Sequence, residues 1–240
     1  MRRLLYIFLC LMLLTACRQD ELLEMQGEAV LELDLQCMGR PTVGVTRACD
    51  EDLAIDILDA DRVLYRHYNA GSVPQKIVLT PGTFFIQAYT KNQSDWQTAN
   101  EGLGEACYFQ ETQVEMENDM VKRLHMRVPM TNYAVGLQLP DLWDSLFRSY
   151  TFRLKSGSRT VVIKQGERAY FDVADGGFSY ALSATNTDGR TSSHSAIDFT
   201  EIEAGKLFTL CYHYDSDANT GGIDIVITDD MKTDDNPINL

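Results

Sequence analysis

Six cysteines, four histidines and 35 carboxylates are the groups in this chain that could do covalent, acid–base or metal chemistry. The best placed of them is Cys17. It closes Leu14-Thr15-Ala16-Cys17 behind a positive Arg2-Arg3 pair and an apolar run from Leu4 to Leu14, the layout of an export segment cut after small residues. That run is too short for a hydrocarbon core of ~30 Å. Residues 1–16 therefore read as a signal peptide, with Cys17 as the new N-terminus. Nucleophilic catalysis would need a serine or cysteine beside a histidine base. His67, His125, His194 and His213 stand in no such motif, and G-x-S-x-G, P-loop and H-E-x-x-H sequences are absent. His125 alternates with Leu124 and Met126, and His213 with Tyr212 and Tyr214, which turns both outward from strands. Asp215-x-Asp217-x-Asn219-x-Gly221 offers alternate oxygens in the manner of a calcium loop. Its glycine arrives one residue late, however, and Val226 stands where a closing carboxylate is needed, so the segment reads as a polar hairpin. No acid/base pair separates itself from so many surface carboxylates. The expectation is a protein that is not an enzyme, with no catalytic residue, no metal and no cofactor.

Composition narrows the partners. The net charge of −14 becomes more negative once Arg2 and Arg3 leave with the signal peptide, and such a surface repels nucleic acid. After Cys10 is removed and Cys17 is committed, Cys37, Cys49, Cys107 and Cys211 remain, in an exported setting that permits disulfides. Their spacing selects none of the possible pairings, and no C-x-x-C is present to suggest zinc or redox chemistry. Cys37 and Cys211 lie inside apolar alternation, so small buried hydrophobes are an equal reading.

The elements that must position these groups are strands. Period-two alternation recurs in short runs bounded by turn residues: Ala29 to Cys37, Leu53 to Leu58, Ile77 to Leu79, Phe84 to Ala88, Thr112 to Met116 and Val121 to Val128. Asp59-Ala60-Asp61 turns the second run into Val63-Leu64-Tyr65. The same grammar returns downstream, where Tyr180-x-Leu182-x-Ala184 echoes Phe84-x-Ile86-x-Ala88. Likewise, Ile202 to Tyr214 echoes Met116 to Val128. The first copy has the longer connection, between Lys91 and Tyr108, and Trp96 is expected at its tip. The fold class predicted is all-β: two tandem Greek-key β-sandwich domains over residues 29–128 and 129–228, with one short helical turn across Asp141 to Tyr150. Leu142, Leu146 and Tyr150 would share that turn's apolar face. A tether over residues 17–28 precedes the domains, and residues 229–240, which offer no packing face, form a flexible tail. Tyr150, Tyr170, Phe171 and Tyr180 could stack on a sugar, although aromatics in strands more often fill cores.

Several local marks carry a family resemblance. Leu14 to Cys17 resembles the lipobox of bacterial lipoproteins, whose cysteine thiol is alkylated by a diacylglycerol. Arg18-Gln19-Asp20-Glu21 resembles the acidic surface-export signal of Bacteroidetes lipoproteins. Val43-Gly44-Val45-Thr46-Arg47-Ala48, Ile57-Leu58-Asp59-Ala60-Asp61-x-Val63-Leu64-Tyr65, Ile77-x-Leu79-x-Pro81-Gly82-x-Phe84 and Ala204-Gly205-Lys206 follow in order. Together they resemble the fimbrillin-like lipoproteins of Bacteroidetes, two-domain sandwiches of which some assemble into type V pili. In polymerising members a protease cuts after an arginine beyond the first strand, and a neighbour's strand fills the vacated groove. The resemblance puts Arg47 and Ala48 at that cut and makes Ala29 to Cys37 the strand released. The chain departs from those pilins at its C-terminus, where the tail is acidic and Pro237 cannot donate to a ladder. Ile223 to Ile227 is the better terminal strand.

The resemblance implies a lipid-anchored protein of the outer membrane and cell surface, held by acylated Cys17. It would act in adhesion as a fimbrial subunit or anchor, with other fimbrial subunits or host and bacterial surface ligands as partners. The alternative is a glycan-binding lipoprotein of a polysaccharide uptake system, with Trp96 as the sugar contact.

Overall fold

Short alternating runs cannot bury their apolar faces alone, and this chain pairs them into four sheets stacked two by two. The computed structural model describes residues 27–38, 53–90, 95–193, 196–215 and 220–228. In chain order the elements are β1 (Ala29–Met38), β2 (Leu53–Leu58), β3 (Leu64–Tyr68), β4 (Lys76–Leu79), β5 (Gly82–Thr90), β6 (Phe109–Met116), β7 (Val121–Pro129) and β8 (Tyr133–Gln138). Helix α1 (Trp143–Leu146) then leads to β9 (Phe147–Ser156), β10 (Arg159–Ile163), β11 (Arg168–Phe171) and β12 (Phe178–Asn186). The last are β13 (Thr191–Ser193), β14 (Ile197–Phe199), β15 (Leu207–Asp215) and β16 (Thr220–Thr228).

Sheets β4-β1-β7 and β3-β2-β5-β6 face one another over a core that includes Leu31, Ile55, Ile57, Ile77, Ile86 and Met126. Sheets β11-β8-β15-β16 and β10-β9-β12-β13, with β14 also pairing β12, enclose a second core around Tyr133, Phe152, Phe171, Leu182 and Phe208. The all-β, two-sandwich class expected from alternation is the class observed.

The internal echo has a topological counterpart. In the first sandwich β1 lies between β4 and parallel β7; in the second β8 lies between β11 and parallel β15. Strand β5 sits beside β2 as β12 sits beside β9, so Phe84, Ile86 and Ala88 match Tyr180, Leu182 and Ala184 as buried alternate residues. The two sandwiches also touch. Ala134, on the face of β8 opposite Tyr133 and Val135, belongs to the first core, which explains why β8 reads as a continuous apolar run.

Two local expectations are corrected. The helical turn is only Trp143–Leu146, because Phe147, Tyr150 and Phe152 enter β9; Leu142 is 69% exposed, and Trp143 is the residue buried. Trp96 is not at an exposed loop tip; it is only 7% exposed. Its loop folds back, with Glu105 N–H donating to the Trp96 carbonyl at 3.1 Å and Gly104 N–H to that of Ala99 at 2.9 Å. The loop is clamped onto the second sandwich: Arg159 donates to the Gly102 and Tyr170 carbonyls, and Tyr170 N–H donates to that of Leu103 at 2.8 Å. Buried Asn132 closes the other side, accepting from Cys107 N–H at 3.0 Å and donating to the Glu105 carbonyl at 2.8 Å.

Candidate functional site

The candidate site is the slot that β1 occupies. Alternation turns Ala29, Leu31, Leu33, Leu35 and Cys37 inward and Val30, Glu32, Asp34 and Gln36 outward. Ala29 and Leu31 are fully buried, and Leu33, Leu35 and Cys37 pack partly buried against the same core. On one side β1 runs parallel to β7 through nine register pairs, from Val30↔Val121 to Met38↔Pro129. On the other, β4 runs antiparallel over only four, from Ala29↔Leu79 to Glu32↔Lys76. β4 begins at Lys76, so beyond Glu32 it no longer pairs with β1, and a groove of about 530 Å³ lies there whose lining includes Leu33, Leu35, Val73 and Pro74.

Outward, the slot is organised by charge. Glu32 accepts from Lys76 Nζ at 3.1 Å and from Arg123 Nη2 at 3.2 Å. These hydrogen bonds, Lys76 first, hold its carboxyl below the ordinary value. One step along, Asp34 meets His125 Nδ1 at 2.9 Å, and Arg127 stands in register with Gln36. The exposed row of β7 thus carries Arg123, His125 and Arg127 between Val121 and Pro129, and the matching row of β1 carries the acids. His125 faces outward, as its alternation predicts.

A second polar cluster lies on the outer face of β3-β2-β5-β6. His67 Nδ1 meets Asp56 at 2.6 Å, and Tyr89 O–H donates to the same carboxylate at 2.9 Å. The Asp56 bond raises the His67 pKa, and burial, with Asp56 second, pushes Tyr89 up to about 12. Beside them Arg62 forks onto Glu111 with two 2.9 Å bonds and lies over the Phe85 ring. Every member already has a partner, and no seryl or cysteinyl nucleophile contacts the histidine among these bonds. The cluster fastens four strands together.

The remaining sequence candidates are placed as follows. Cys17, Arg47, Ala48, Cys49, His194 and the centre of the 215–221 hairpin lie outside the described residues, as do 1–26 and 229–240. Cys37 is disulfide-bonded, whereas Cys107 and Cys211 carry thiols. The Cys107 thiol sits 3.5 Å from Thr90 Oγ1, and the Cys211 thiol donates to Gln138 at 3.6 Å. Phe171 and Tyr180 are core, Tyr150 O–H accepts from Gln165 N–H at 2.8 Å, and Tyr170 packs on the first core, so the four aromatics form no exposed stacking platform. Among the described residues no group of three or more histidine, cysteine or acidic side chains could hold a metal. Nor is any described helix long and apolar enough to cross a membrane. The complementary charged rows were not evident beforehand: alternation tells which way Glu32 and Arg123 face, but their adjacency arises from pairing across 91 residues.

Paired sandwiches whose first strand is wedged parallel to a late strand of the same sandwich define the class of this protein, and its fold is shared by a solved structure. A "putative cell adhesion protein" from Bacteroides uniformis is similar over 85% of this chain and 98% of its own, with a TM-score of 0.53 and 12% identity. A second "putative cell adhesion protein", from Bacteroides eggerthii, matches over 85% and 95% with a TM-score of 0.49 and 12% identity. The fimbrial anchor protein Mfa2 from Porphyromonas gingivalis matches over 83% and 97% with a TM-score of 0.42 and 12% identity. The chain belongs to the family described as Domain of unknown function (DUF4493), whose model matches residues 27–240. No curated protein matches it.

Proposed function

We propose that this protein is a surface-exposed lipoprotein, anchored in the outer membrane through acylated Cys17, that acts in cell adhesion as a fimbrial subunit or anchor assembled by strand addition. The observation that carries the reading is the setting of β1. It closes the first core with its inward leucines, yet the next described strand, β2, belongs to the opposite sheet, and among the described strands only β4 and β7 pair with it. Removing it would bare the unpaired backbone groups of β7 and an apolar groove, and a donated strand satisfies both at once. Arg47-Ala48 follows β1 in the chain, in the place where the resemblance puts a processing cut. The shared fold with a structure described as a "putative cell adhesion protein" supports the same reading. Domains over residues 29–128 and 129–228 belong to the proposal, as does the lipid-bearing N-terminus. In the glycan-binding alternative Trp96 is the sugar contact, and its burial favours the adhesion reading over that alternative.

The test is the N-terminus of the protein recovered from the surface of its native cells, read by mass spectrometry. A start at Ala48 identifies a processed subunit and an acylated Cys17 an anchor; an unmodified Cys17 or an uncut signal peptide rejects the lipoprotein reading.

A further inference from the structure

We propose that the slot between β4 and β7 selects its strand by charge. It takes from a neighbouring subunit a strand that alternates apolar inward residues with carboxylates at the two outward places held here by Glu32 and Asp34. This deepens the strand-addition reading and rests on it.

The register supplies the selectivity. A residue at the place of Glu32 lies between Lys76 and Arg123, and one at the place of Asp34 lies beside His125. The place of Val30 lies between Val78 and Val121, and that of Gln36 lies next to Arg127. With β1 gone, the outward residues of β4 and β7 would be Lys76, Val78, Val121, Arg123, His125, Arg127 and Pro129, a row without a carboxylate. The Lys76 and Arg123 side chains, 69% and 78% exposed, belong to the walls and stay when the strand leaves. In a chain of net charge −14, this basic row is a local exception and complements an acidic incoming strand.

The inward leucine pattern alone would accept any alternating strand. The outward row adds discrimination against lysine or arginine at either acidic place, since like charges directly opposite one another destabilise a sheet. It also helps set register. A slip by one residue turns the leucines outward, and a slip by two leaves one of the two acidic places without its carboxylate, with Val30 at Lys76 or Gln36 at His125.

The experiment incubates the full-length chain, with and without prior cleavage by an arginine-specific protease and in the presence of a thiol reductant that opens the Cys37 disulfide and frees the resident strand, with fluorescent peptides of residues 29–38 in which Cys37 is replaced by serine. One peptide keeps Glu32 and Asp34, a second carries lysine at both, and a third carries aspartate at Leu31 and Leu33. Incorporation is read as fluorescence running with the protein on unboiled gels. The expected result is that the acidic peptide incorporates at about tenfold lower concentration than the lysine peptide, that the third fails, and that K76E/R123E narrows or reverses the preference. Equal incorporation of the first two by the wild-type chain overturns the charge selection while leaving strand addition standing. Incorporation of none of the three, cut or uncut, overturns both.

Discussion

Glu32 is the residue on which most of the outward chemistry of the slot converges, because Lys76 and Arg123 reach it from opposite strands. Its folded pKa lies below its ordinary 4.5, so its contribution is present above that value and is lost as the pH falls through the lowered one. Hydrogen exchange of residues 29–38, corrected for intrinsic rates, is therefore expected to lose protection below about pH 4.5 in the wild type. That acid-dependent loss should be reduced in Glu32→Gln; an unchanged profile would show that the two cations do not hold β1. A different residue-scale constraint sits at Gly177, whose φ is +143° and where an added Cβ would stand 2.4 Å from the Phe199 carbonyl oxygen. Gly177→Ala is expected to lower the stability of the second sandwich by about 1–3 kcal/mol in urea unfolding. The glycine was visible in the sequence, but its constraint was not, since the backbone it crowds comes from a segment more than twenty residues away.

At the scale of elements, β1 was legible because apolar and polar residues alternate without interruption from Ala29, and the strand observed differs only by extending to Met38. The turn after β2 was legible for an equally local reason: Asp59 Oδ1 accepts from the backbone of both Asp61 and Val63 at 2.9 Å. The helix was misjudged in length because Leu142, Leu146 and Tyr150 fit a helical period, while the aromatic alternation Tyr150-x-Phe152 fits a strand, and the tertiary partner β12 decides between them. Trp96 was misplaced because loop length says nothing about docking, and the residues that hold its loop, Asn132 and Arg159, come from the second sandwich. The element-scale prediction concerns β1 itself. Burying Leu31 alone is worth about 1.5–3 kcal/mol, and deletion of residues 29–38 would also strip β7 of its register partner. The deleted protein is expected to bind a hydrophobic dye and self-associate in sedimentation. A stable, dye-silent monomer would remove the basis for strand addition.

The whole molecule repeats one design twice, a first strand wedged parallel to a late strand of the same sandwich, and the two copies share a boundary through Ala134, Asn132 and the 95–105 loop. The corresponding strand of the second copy, β8, is secured differently: it is bracketed by β11 and β15, and Ala134 adds contact to the first core on its other face. Exchange is proposed at β1 because Arg47-Ala48 follows it in the chain, whereas β8 is buried against both cores. Repetition could be read from the sequence since alternation and turns recur in the same order; the unequal fastening of β1 and β8 depends on neighbours distant in the chain. The measurement that bears most directly on strand addition is the size of the protein taken from its native cell surface on an unboiled denaturing gel, compared with the boiled sample. Strand addition predicts species well above the monomer that collapse to it on boiling. A monomer band in both lanes would contradict it.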